Sequence, residues 1–281
     1  MKVRWTAWQA CVLAGTAAVL AAWAWNKDRL AEASLAGKLA QIQALNAERR
    51  VDCAGLAAQR PLVLLALGQS NAGNHGSLAA ALPPVYLVSA GQCVLAADPL
   101  PGATGRGGSI WQRLPAALSE RGWARPVVLS VLAVDATTLD DWTHPQSPLG
   151  AQLAEHVRSL NGLRLAPDFV LWQQGEADAK AGTEAAAYAA RLDGLAVLLR
   201  DAGSTAPIFL ARSTVCRSPP AAAIRASIEG AVAQRAQFRL GPDIDVLGAE
   251  LRHDGCHLAA AGLDRAAQAW AEVILTSLLS R

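Results

Sequence analysis

The sequence predicts an α/β domain built on a parallel sheet with helices on both faces. Two observations carry this prediction. From about residue 58 onward, short apolar runs alternate with longer stretches of helical spacing, which is the order that βαβ units require. Several of the runs are apolar at nearly every position, as strands buried on both faces are. Strands are expected at 61–67, 85–90, 127–134, 169–173, 208–211 and 244–247, with helices near 110–121, 148–162, 183–202, 219–238 and 259–279. In such sheets functional groups collect beyond the carboxyl ends of the strands, so the residues just past each strand are read first.

The 281 residues suit one large domain, or one domain with an appendage, and 52% apolar content is ample for a core. A net charge of +2 gives no reason to expect a nucleic-acid partner. The N-terminus differs from the rest. Lys2 and Arg4 precede an uncharged run over 5–25, with Trp5 and Trp8 at one end and Trp23 and Trp25 at the other. At about 1.5 Å per helical residue this run can cross a hydrocarbon core of roughly 30 Å, and interfacial tryptophans belong at such ends. A single-pass inner-membrane anchor over 1–25 is therefore expected, with the remainder on the periplasmic side. A cleaved signal is the alternative, since Ala22-Trp23-Ala24 suits a cut. The basic residues before the span favour a cytoplasmic N-terminus, against which Lys27 and Arg29 stand. Residues 26–57 read as a helical stalk or linker, with Leu35, Leu39, Ile42 and Leu45 at helical spacing, leaving 58–281 as the main domain.

Of five cysteines, Cys11 lies in the apolar run. The other four suggest two disulfides in an exported domain. Three pairings are open, and Cys216–Cys256 with Cys53–Cys93 is favoured. No Cys-x-x-Cys pair occurs, and scattered single cysteines make a poor zinc site; neither metal nor cofactor is expected.

Chemistry is legible in four segments. Gly68-Gln69-Ser70-Asn71-Ala72-Gly73 follows the first strand, where a tight turn among small residues can present a serine hydroxyl. Asp254-Gly255-Cys256-His257 precedes the last helix. A serine needs a base to take its proton, and a carboxylate fixes that base's tautomer; His257 and Asp254 can supply both. Arg106-Gly107-Gly108-Ser109-Ile110-Trp111 and Trp172-Gln173-Gln174-Gly175-Glu176-Ala177-Asp178 also follow strands, and a glycine N–H or a glutamine amide is a suitable oxyanion donor. Each segment alone is equally an ordinary turn or cap.

Taken together, in this order, the four segments resemble the SGNH hydrolase superfamily in its sialate O-acetylesterase and acetylxylan-esterase-like branch, over roughly residues 60 to 275. The resemblance implies a flavodoxin-like three-layer α/β/α sandwich and metal-independent hydrolysis of O-acetyl groups on sugars. It implies Ser70 as nucleophile, His257 as base and Asp254 as its orienting acid. It implies oxyanion donors at Ser70, Gly108 (with Gly107 as an alternative) and Gln174. Gln69, Asn71 and Glu176 are expected to bind substrate or organise the pocket, and Asp178 to be structural. Where the family shows Gly-Gly-Thr after the third strand, this chain has Asp135-Ala136-Thr137, which leaves the shape of that loop open. His75 is a candidate pocket residue, His253 is expected to face elsewhere, and His144 and His156 to lie on the surface. Trp142 either stacks on a sugar or packs inside. The same residues would serve transfer of acetyl to a polysaccharide hydroxyl. A non-catalytic glycan-binding protein is the other rival, disfavoured by the complete Ser, His and Asp set.

Overall fold

The computed structural model describes residues 34–46, 48–77 and 82–279. The chain divides into two compact units, Met1–Ala40 and Gln41–Arg281. In the first, residues 34–39 are helical; the apolar run over 5–25 lies outside the described residues. Among the described residues no helix is long and apolar enough to cross a membrane.

The second unit opens without the helix that the stalk spacing predicted. Gln43 exchanges backbone hydrogen bonds with Ala103 and Gly102 at 2.9 and 2.8 Å, so Ile42 and Leu45 lie on non-helical chain. Arg49–Arg50 (β1) then pairs antiparallel with Gln92–Ala96 (β4). Backbone partners at Gly102 and Ala103, and then at the edge of β4, override the helical spacing. A short helix follows, Cys53–Ala58 (α1), capped by the Asp52 carboxylate on the Ala54 and Gly55 N–H groups. The Cys53–Cys93 disulfide ties α1 to β4, and Cys216 pairs with Cys256, the expected pairing.

The remaining strands are Leu62–Gly68 (β2), Val85–Ser89 (β3), Val127–Ala133 (β5), Phe169–Gln173 (β6), Ile208–Arg212 (β7) and Phe238–Asp243 (β8). The sheet order is β1-β4-β3-β5-β2-β6-β7-β8. All neighbours from β3 to β8 are parallel, and only the β1-β4-β3 edge is antiparallel. The β3–β4 hairpin turns on Ala90 and Gly91, both at positive φ (47° and 71°), as a two-residue turn requires.

Two strand expectations fail. β4 was not foreseen, because its apolar residues follow β3 with only that turn between them. The last strand was expected at 244–247 and lies six residues earlier. Its sequence, Phe-Arg-Leu-Gly-Pro-Asp, reads as a turn; at an edge, Pro242 needs no ladder N–H. The helix expected to reach residue 238 accordingly ends at Gln234.

The longer helices are Leu114–Glu120 (α2), Pro148–Gly162 (α4), Ala185–Asp201 (α6), Ala222–Gln234 (α7) and Ala260–Leu279 (α8), with two short ones, Leu139–Thr143 (α3) and Glu176–Ala181 (α5), not foreseen. On one face Leu62, Leu64 and Ala66 of β2 pack with Leu114, Leu118, Trp270 and Ile274 of α2 and α8. Val63, Leu65 and Leu67 are equally buried and point to the opposite face by strand alternation. There α6 packs against α3, α4 and α7.

This topology places the site. After β2 the chain goes to one side of the sheet, returns at β5 beside it, and then crosses to β6 on its other flank. The carboxyl end of β2 is thus a switch point, where a crevice opens between diverging loops. Gly68 closes β2 at φ 145°, and a Cβ there would stand 2.0 Å from the Gln173 carbonyl oxygen. Gly68→Ala should therefore destabilise the domain by about 3 kcal/mol, measured as a loss of denaturant midpoint with unchanged slope.

Candidate active site

Ser70 begins a 3-10 turn, Ser70–Ala72, directly beyond β2. A helix start leaves its first N–H groups without intrahelical acceptors, so the Ser70 N–H is one of these. Neighbouring segments hold the turn from below. The Trp111 indole donates to the Ala72 carbonyl at 2.6 Å, and the Asn74 side chain bonds the backbone of Leu100 on both its donor and acceptor sides. The Gly-Gly-Ser-x-Trp segment is part of this support. The Gly108 N–H donates to Gly76 O at 2.9 Å and its carbonyl accepts the Gly76 N–H, while the Gly107 N–H donates to Asn74 O. A Cβ at Gly108 would lie 2.5 Å from the Ser77 carbonyl oxygen. Gly108 was expected to donate to the oxyanion. Its N–H is already committed, and the residue is small because two backbones meet there.

The loop carrying Asp254 and His257 lies before α8. Asp254 Oδ1 accepts the backbone N–H groups of Cys256 and His257 at 2.8 and 2.7 Å, and Oδ2 lies 2.9 Å from His257 Nδ1. Burial works against the carboxylate's charge, yet the bonds from His257 and Cys256 hold its pKa well below the usual range. A carboxylate only accepts, so Nδ1 carries the proton and Nε2 the lone pair. Arg252 donates to the Cys256 and Ile244 carbonyls, and Arg217 donates to the Asp254 carbonyl and carboxylate.

Ser70 and His257 line one cleft of about 500 Å³, together with Gln69, His75, Glu176 and Arg217. No hydrogen bond joins the Ser70 hydroxyl to the His257 ring. His75 is confirmed as a cleft residue; its ring stacks on His257 with centroids 5.3 Å apart. Burial lowers the His75 pKa, against the pull of Asp135. His253, expected to face elsewhere, stacks on His257 at 6.0 Å, because residues 253 to 257 close a tight loop in which the His253 N–H bonds the His257 carbonyl.

Asn71 links the Ser70 turn to the histidine loop. Asn71 Nδ2 donates to Cys256 O at 3.2 Å and to Glu176 Oε1 at 2.7 Å. Both amide hydrogens are spent inside the protein, so Asn71 braces the site where substrate binding was expected. Glu176 Oε1 also accepts from the Ser213 hydroxyl at 2.8 Å, whereas the buried Oε2 has no partner. Burial raises the Glu176 pKa to about 7, helped by Asp245 and opposed by the bonds from Asn71 and Ser213. Gln69 is half committed: its Oε1 accepts the Ala177 N–H at 3.0 Å.

Gln174 requires a second correction. It is fully buried, its Nε2 donates to Thr137 O and Asp178 Oδ2 at 3.0 and 2.6 Å, and its Oε1 accepts from the Tyr188 hydroxyl. With both amide hydrogens used, it has none for an oxyanion. Asp178 is structural as expected, also accepting from the Leu139 N–H and the Thr183 hydroxyl. Trp142 packs inside, edge-on to Trp172 at 5.1 Å, rather than on a sugar. His144 is exposed, whereas His156 is half-buried and 3.2 Å from the Ser130 hydroxyl. The loop after β5 brings Asp135, Ala136 and Thr138 to the cleft. Ala136 takes φ 50°, a left-handed conformation that costs a non-glycine residue on the order of 1 kcal/mol. Ser213 and Arg252 were missed. Ser213 follows directly on β7, where the strand-end rule would have found it; Arg252 carries no sequence signal.

A mainly parallel α/β sheet with a cleft lined by Ser70 and by the Asp254-bonded His257 fits the class of serine ester hydrolases. Residues 108–276 match the family model described as "carbohydrate esterase, sialic acid-specific acetylesterase", and the chain belongs to that family. It is a serine ester hydrolase of the carbohydrate acetylesterase class. Among solved structures, a protein from Arabidopsis thaliana is similar at 19% identity and TM-score 0.65, over 77% of this chain and 98% of the other. NanS is similar at 14% identity and TM-score 0.52, over 78% of this chain and 98% of its own. These likenesses concern the fold. No curated protein matches the chain.

Glu176 gives a pH dependence with a definite sign. An acid whose folded-state pKa is raised binds its proton more tightly in the folded state. Its contribution to stability is present below the unfolded value of 4.5 and is lost as pH rises to about 7. Thermal melts of Glu176→Gln and wild type should therefore diverge as pH is raised from 5 to 8, by on the order of 3 kcal/mol in favour of the variant. Parallel curves would mean that the carboxyl is ionised throughout.

Proposed function

We propose that the protein removes O-acetyl groups from acetylated sugars or envelope polysaccharide by covalent catalysis at Ser70. The Ser70 oxygen attacks the acetyl carbonyl while His257 Nε2 takes its proton, and Asp254 stabilises the imidazolium through Nδ1. The Ser70 N–H faces the developing oxyanion. His257 then returns the proton to the departing sugar hydroxyl. A water molecule, deprotonated by the same nitrogen, cleaves the acetyl-serine and releases acetate. One observation carries this reading: the Asp254-linked ring of His257 and the side chain of Ser70 line the same cleft. The contact between them is left to form with substrate, since catalytic hydrogen bonds often tighten only in the complex.

The apolar run over 5–25 supports a single-pass anchor in the inner membrane, with the esterase on the periplasmic side. The two disulfides support that side as well, because such bonds persist in oxidising compartments.

Ser70→Ala should lower turnover of a simple acetyl ester at least about 10³-fold, with an unchanged circular dichroism spectrum, and should abolish labelling by an organophosphorus ester. Retained turnover would remove Ser70 from the mechanism. Acetate release across a panel of acetylated glycans identifies the substrate.

A further inference from the structure

The histidine loop holds more ligand chemistry than ester hydrolysis uses. His253, Asp254 and His257 each offer a nitrogen or oxygen, and the three atoms lie within 4.8 Å of one another. Four ligands at roughly 2.0–2.2 Å from a zinc ion stand about 3.3 Å apart in a tetrahedron. His257 Nδ1 and Asp254 Oδ2 are already 2.9 Å apart. His253 is exposed and its ring lies 26° from parallel to that of His257, so binding turns the His253 ring until its in-plane lone pair meets the ion.

His253 also presents a ring nitrogen with a free lone pair. His253 Nε2 lies 3.1 Å from the His75 carbonyl oxygen. A carbonyl only accepts, so Nε2 carries the proton and Nδ1 keeps its lone pair, the carbonyl acting as the outer partner that orients a metal-bound histidine. Two imidazoles and a carboxylate suit zinc, whereas magnesium prefers oxygens alone. Arg217 opposes the ion from one side, with Nη2 3.3 Å from Asp254 Oδ2. That charge is largely exposed, with 69% of its side chain accessible, and weakens binding without blocking it.

We propose that His253, Asp254 and His257 form a zinc-binding site that reversibly switches the esterase off. A zinc ion at His257 Nδ1 takes the place of the proton shared with Asp254. The proton displaced from Nδ1 is taken up at Nε2 through solvent, leaving a neutral ring of the other tautomer, and a protonated Nε2 cannot accept the proton of Ser70. The effect on turnover rests on the catalytic reading of His257 above; the binding itself does not.

The test uses the full, untagged chain in detergent. Calorimetric titration with ZnCl₂ should show one site per chain of micromolar affinity, and MgCl₂ should give no binding heat. ZnCl₂ should inhibit turnover of an acetyl ester, and EDTA should restore it. His253→Ala should keep metal-free turnover within twofold of wild type while raising both the zinc dissociation constant and the inhibitory concentration at least tenfold; His253→Gln should behave alike. Ser70→Ala should bind zinc as wild type does, so a failure of the nucleophile assignment is read separately from a failure of the metal site. Equal zinc binding by His253→Ala and wild type, or no binding by wild type, overturns the proposal.

Discussion

The amide of Asn71 joins two pieces of chain separated by 185 residues, donating one hydrogen to the Cys256 carbonyl and the other to Glu176. Ser70 precedes it and His257 follows Cys256, so this side chain links the Ser70 turn to the histidine loop. Its partners are buried, where no water competes for the same donors and a lost bond leaves a buried group unsatisfied. Arg252 and the Cys216–Cys256 disulfide restrain the same peptide from other directions. The histidine loop has no ladder of its own beyond the isolated Arg252–Leu258 bridge. Its position is therefore held by these side-chain and disulfide links together with a few backbone bonds, among them Arg217 N–H to the Gly255 carbonyl at 2.8 Å.

Much of the recognisable sequence pattern serves this frame rather than the reaction. Trp111 supports Ala72, Gly108 lets two backbones meet, and Gln174 with Asp178 and Tyr188 forms a closed, satisfied network under the cleft. The two carboxyl groups nearest the site are pushed in opposite directions. Asp254 is stabilised as an anion by N–H donors, while Glu176 is pushed toward its neutral form by burial. Environment thus assigns them different tasks, one to hold a charged imidazole and the other to brace Asn71.

Most of the sheet was legible because its central strands are apolar on both faces; β2, β5, β6 and β7 fall within a residue of expectation. β8 was misplaced because an edge strand tolerates glycine, proline and exposed positions that look like a turn. The stalk spacing misled beyond residue 40 because Gly102 and Ala103 offered backbone partners to Gln43, and the edge of β4 offered them to Arg49 and Arg50. In the site, Ser70, Asp254 and His257 were nameable from the resemblance that four ordered segments carry, and the structure brings Ser70 and His257 to one cleft. The destinations of Gln174, Gly108 and Asn71 were not, since a donor's residue type does not say which acceptor will claim it.

By itself the sequence determined the fold class, the strand-end positions of the reactive residues and the two disulfides, because periodicity, turn chemistry and cysteine count act locally or by simple parity. The tertiary structure alone decided which hydrogen-bond donors remain for substrate, why Glu176 favours its neutral form, and that three histidine rings stand together. Those outcomes depend on burial and on partners from distant segments. A buried donor is satisfied by whichever acceptor the packing brings within about 3 Å.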